Sequence, residues 1–77
     1  MRYAIVIEKT ESNYSAYAPD VPGCGTVGDT IEEVKHMMRE ALEFHFEGTR
    51  EDGLPIPEST SLVDYIDVDV PVLESKV

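Results

Sequence analysis

The residues of this 77-residue chain that could do chemistry are carboxylates, two histidines and one cysteine. Asp64, Asp67 and Asp69 fall close together near the C-terminus, and Glu8 ends an apolar run near the N-terminus. Clustered carboxylates on neighbouring strands can hold two Mg²⁺ ions for phosphodiester hydrolysis. Here the first apolar run has no interior Asp, and Asp67 and Asp69 alternate with Ile66, Val68 and Val70, as on the wet face of a strand. A solvated polar face is the favoured reading, and no catalytic residue, metal ligand or cofactor site is assigned. His45 sits among apolar residues at helical spacing; a general base or ligand is the sharp reading, a packed histidine in the core or at an interface the favoured one. His36 lies on the opposite, polar arc. Cys24 has no adjacent Lys, Arg or His to lower its pKa, so a nucleophilic role is disfavoured. Gly23, Gly25 and Gly28 are followed by no Lys-Ser or Lys-Thr and fit no phosphate-binding fingerprint.

The elements that would position these groups follow from pattern. Residues 3–8 (YAIVIE) and 14–18 (YSAYA) read as strands joined by a polar hairpin loop. The segment 19–25 (PDVPGCG) cannot be central strand, because proline fixes φ and lacks an N–H. A short third strand is expected at 25–27. Thr30 and Glu33 have capping-box spacing, and Gly53, Pro55 and Pro57 stop a helix running from Ile31 to about Glu51. Val34, Met38, Ala41, Leu42, His45 and Thr49 share a stripe with Ile31, widened by Met37 and Phe44 on one edge and Phe46 on the other. Residues 63–70 alternate cleanly and read as a fourth strand ended by Pro71, with 72–77 a frayed tail. The expected fold is α+β: one domain over 1–77, β-β-β-α-β, an antiparallel sheet with one long helix on one face.

Composition narrows the function. Sixteen acidic residues against six basic ones give a net charge of −10. Direct nucleic-acid binding is not expected, since Lys and Arg on phosphates supply most of that affinity. An anionic membrane would also repel the chain, whereas a basic protein would be attracted. One cysteine permits no internal disulfide, and no signal peptide or membrane span is visible, which points to the cytoplasm. A domain this short buries only about 60% of its unfolded surface, so association is the expected route to stability. The first strand is apolar on both faces, and a homo-oligomer is expected to cover what one helix cannot. Tyr3, Ile5, Ile7, Met37 and Phe44 are the candidate oligomer-interface residues.

The runs 14–24 (YSAYAPDVPGC), 28–33 (GDTIEE), 40–48 (EALEFHFEG) and 51–58 (EDGLPIPE), in this order and spacing, resemble the HicB-like antitoxin family over about residues 3–70. The resemblance implies a partial ribonuclease-H-like fold without catalysis. It also implies a partner, a small basic HicA-like ribonuclease toxin whose active site the antitoxin covers. Asp20, Tyr65, Asp67 and Asp69 are the candidate partner-binding residues. Many family members carry a C-terminal helix-turn-helix or ribbon-helix-helix module; only six residues follow Pro71 here, so operator binding by this chain alone is not expected. The alternatives are a free-standing oligomeric HicB-like domain without a toxin and, less favoured, a residual metal-dependent nuclease.

Overall fold

The computed structural model of the protein describes residues 1–72. Three strands, β1 (Val6–Lys9), β2 (Tyr14–Tyr17) and β3 (Gly25–Gly28), are followed by one helix, α1 (Ile31–Glu51). The sheet is antiparallel in the order β1-β2-β3. Its register pairs Ile7 with Ala16 and Ala16 with Thr26. The β1–β2 turn is closed by Thr10 N–H donating to the Asn13 carbonyl at 2.8 Å. Between β2 and β3 the proline-rich segment closes its own turns: Val21 N–H donates to the Ala18 carbonyl and Cys24 N–H to that of Val21, with Gly23 at φ 83°.

Both ends of α1 are fixed by local chemistry. Glu33 N–H donates to Thr30 Oγ1 at 3.0 Å, and Glu33 Oε1 accepts from the Asp29 N–H at 2.6 Å. The return arm of the capping box thus lands one residue before the cap. At the other end Gly53, at φ 72°, donates to the Arg50 carbonyl and Leu54 donates to that of Thr49. This paired closure needs a left-handed residue, the conformation glycine adopts without strain.

The core lies between α1 and one face of the sheet. Ala16, Ala18, Val21, Cys24, Val34, Met38 and Leu42 are buried, and Tyr3, Ile5 and Ile7 pack partly buried against them. Small side chains on the sheet let the helix approach closely; a Cβ on Gly28 would stand 2.9 Å from Val34 Cγ2. Pairing puts Val6, Tyr17 and Val27 toward the other face, where Tyr17 and Val27 are exposed. Tyr3, Ile5 and Ile7, expected to make an oligomer contact, therefore belong to the helix-covered side. The apolar residues on the open side are Val6, Tyr17 and Val27.

Two expectations are corrected. Residues 63–70 form no strand: 61–72 carry no regular structure and are exposed throughout. The alternation is present, but a strand forms only against another strand's hydrogen-bonding edge, and 61–72 lie beside none. The chain's radius of gyration of 16.8 Å and its 61 Å long axis reflect this projection; a compact domain of this length would have a radius of about 11–12 Å. Second, of the two places expected for a packed His45, the core or an interface, the core is excluded: His45 is exposed, with its ring edge-on to Phe46 at 6.1 Å. Phe44 is 80% exposed, and Met37 is half-buried. A 21-residue helix is about 31 Å long, whereas four-residue strands span about 13 Å. The last turns of the apolar stripe outrun the sheet. Of the expected frayed tail, Val72 is exposed and 73–77 lie outside the described residues.

Candidate partner-binding surfaces

Among the described residues the candidate carboxylates are dispersed rather than gathered at one site. Among the described residues, no group of three or more His, Cys, Asp or Glu is placed to hold a metal ion. Asp64, Asp67 and Asp69 lie on the exposed C-terminal arm, and Glu8 is exposed on β1. His36 pairs with Glu40 across one helical turn at 3.3 Å, on the solvated face. Cys24 is buried, and burial pushes its thiol pKa up, away from the reactive thiolate.

Asp20, a candidate partner-binding residue, sits in a local hydrogen-bond network. Its carboxylate accepts four hydrogen bonds: from Thr60 N–H (2.8 Å), Thr60 Oγ1 (3.1 Å), Ser61 N–H (2.8 Å) and Ser61 Oγ (2.7 Å). These donors, the Ser61 hydroxyl and amide foremost, hold its pKa below the usual carboxylate value. Two more contacts tie the same stretch to the N-terminus. Tyr3 Oη donates to the Pro57 carbonyl at 2.5 Å, and Ser59 Oγ donates to the Arg2 carbonyl. Sequence reasoning missed this clamp, because polar contacts 40 to 57 residues apart leave no periodic trace. Beyond it Tyr65, Asp67 and Asp69 are exposed on the arm.

Two grooves flank α1. The larger, of about 790 Å³, lies between the N-terminal residues that precede β1, the helix and residues 56–58. Its apolar walls include Tyr3, Ile5, Met38, Leu42 and Phe46, with the Tyr3 and Phe46 rings 5.0 Å apart. Arg2, Lys35 and Arg39 line it, together with Glu43 and Glu58. Half of the chain's six Lys and Arg residues thus gather at one groove, which is locally positive in a strongly acidic molecule. The second groove, near the helix C-terminus, is lined by Phe44, His45, Thr49 and Leu54 over the buried Cys24. Neither groove presents a nucleophile and base in contact. Among the described residues no helix is long and apolar enough to cross a membrane.

Fold and surface together define a small acidic α+β module with open apolar surface and an acidic arm. The comparisons agree with this class. The profile of the family described as HicB-like antitoxin of bacterial toxin-antitoxin system matches residues 3–71, and the chain belongs to that family. A 14.9 kDa protein from the rep–hol intergenic region of Haemophilus phage HP1 is 44% identical, over 86% of this chain and 50% of its own length. Antitoxin HicB 1 of Photorhabdus laumondii is 39% identical, over 94% of this chain and 48% of its own. The chain therefore spans about half the length of these two relatives. UPF0150 protein ssr1765 of Synechocystis is 30% identical and is covered over 85% of its length. Among solved structures, a chain of the HicA3 and HicB3 toxin-antitoxin complex superposes with a TM-score of 0.63 at 34% identity, covering 71% of this chain and 64% of that one.

Proposed function

We propose that the protein acts as an antitoxin module that binds a small basic HicA-like toxin and blocks its ribonuclease site, with no catalysis of its own. The observation that carries this reading is the match, at 34% identity, to a chain of the HicA3 and HicB3 toxin-antitoxin complex. Physical chemistry supports it. A net charge of −10 favours encounter with a basic protein, and exposed aromatics such as Tyr17 and Tyr65 can anchor the centre of an interface. Asp67 and Asp69 are free to form an acidic rim beside Tyr65, whereas Asp20 acts by holding the root of the arm. The test is co-expression with the HicA-like product of a neighbouring reading frame, paired with association kinetics at several salt concentrations. The expected result is relief of growth arrest and an association rate that falls steeply with salt, as long-range steering requires. Absence of binding at low salt overturns the reading.

A second reading, a free-standing oligomeric HicB-like domain without a toxin, is favoured by one observation. The chain covers 85% of the Synechocystis relative and 81% of the Archaeoglobus fulgidus UPF0150 protein, both of its own scale. An association that forms equally well in 1 M salt and in the absence of any toxin would favour it.

A further inference from the structure

Taking the antitoxin reading as given, we propose that the groove at the C-terminal end of α1 receives an apolar side chain of the basic partner, with a Lys or Arg beside that anchor reaching Asp52.

The decisive residue is Gly48. It lies inside α1 and lines this groove, of about 620 Å³. Nothing in the fold requires a glycine there. Its φ is not positive, so other residues could adopt the same backbone. A Cβ built on it would meet no atom within 4 Å, so it does not admit a neighbouring element as Gly28 does. Glycine inside a helix is destabilising relative to alanine, because it loses more conformational freedom on folding. No contact within the chain offsets that loss. A bare stretch of helix backbone fits close approach by something outside the chain.

Walls and charge define what approaches. Phe44 and Leu54 border the groove and are 80% and 60% exposed. Pro55, with its fixed φ, stiffens the wall beside them. Exposed apolar side chains around a rigid recess make the kind of pocket that an interface anchor fills. The formal charge of the groove has one sign. Among the described residues that line it, Asp52 carries the only carboxylate, and no Lys or Arg joins it. The site also lies at the negative end of the helix dipole, where cations are favoured. An apolar anchor flanked by Lys or Arg meets both demands. A second copy of this chain does not, because it brings a further net charge of −10.

The test separates this site from the antitoxin reading as a whole. Binding of the HicA-like product of the neighbouring reading frame is measured by calorimetry, for the unaltered chain and for variants, with urea unfolding alongside. Gly48→Ala should unfold at a higher urea concentration than the unaltered chain, yet bind about tenfold more weakly. Gly48→Leu, which fills the groove, should bind on the order of a hundredfold more weakly. Phe44→Ala should weaken binding about thirtyfold with helix content unchanged. Greater stability with lower affinity in Gly48→Ala is the distinguishing signature, because a residue of purely structural importance would lose both together. Unaltered affinity in Gly48→Leu and Phe44→Ala overturns the docking site and leaves the antitoxin reading standing. Failure of the unaltered chain to bind overturns both.

Discussion

The body of the molecule and its C-terminal arm use the same residue types to opposite ends. In the body, Val21, Val34 and Met38 are at most 1% exposed, whereas Val68 and Ile66 on the arm are 67% and 84% exposed. Both segments show clean hydrophobic periodicity. The difference is whether a partner surface lies within the same chain: α1 has the sheet beneath it, and the arm has nothing. Periodicity therefore specifies which side chains want burial, and topology decides who buries them.

The sharpest test of that contrast is a pair of truncations. Met38→Ala removes most of a fully buried side chain and should destabilise the domain by about 2–5 kcal/mol, a large share of what so short a domain holds. Ile66→Ala, measured at a protein concentration low enough to keep the chain monomeric, should change stability by no more than about 0.5 kcal/mol. Urea unfolding followed by circular dichroism reads both. Equal losses would mean that the arm belongs to the body's core.

Next in size is Gly28→Ala. The added Cβ would meet Val34 Cγ2 at 2.9 Å and Glu33 Oε1 at 3.1 Å. Val34 is fully buried and has little room to move, so the loss should be about 1–3 kcal/mol. Gly48 faces open space on the helix. Gly48→Ala should instead stabilise by about 1 kcal/mol through helix propensity. Opposite signs in the same unfolding assay would localise the close approach to the sheet–helix contact.

Much of the body was legible before any coordinates. Helix ends are set by neighbours in sequence, and Thr30, Glu33 and Gly53 mark them at Ile31 and Glu51. The three strands lie within a few residues of where alternation and turn chemistry place them; β1 starts at Val6 rather than Tyr3. The family was legible too, from the order of four short runs. The fate of residues 63–70 was not, because a strand is a statement about two segments and the sequence shows only one. The positions of His45 and Phe44 could have been read from lengths alone, since a helix more than twice as long as its strands must overhang them. The Asp20 clamp had no such signal.

Thr30→Ala probes the cap in isolation. It removes the oxygen that accepts from Glu33 N–H and should lower stability by about 1 kcal/mol, less than either core change on the body. The loss should appear in thermal unfolding while the arm's chemical shifts stay fixed.

The smallest expected effect lies at the joint between the two regions. Asp20 has a lowered pKa in the folded chain because Thr60 and Ser61 donate to its charged form. A carboxylate depressed on folding adds stability that is fully present above its unfolded pKa of about 3.9. That contribution is lost as pH falls through the lower folded pKa. Because the carboxylate is exposed to solvent, the change in global stability should be slight. The local readout is more telling. In an acid titration followed by NMR, the Thr60 and Ser61 amides should shift together with a midpoint below the ordinary aspartate range. Asp20→Asn should abolish that titration and loosen the root of the arm, seen as faster amide exchange at both residues. An unchanged titration in Asp20→Asn would assign the amides' response to another acid and detach the arm from the body at this point.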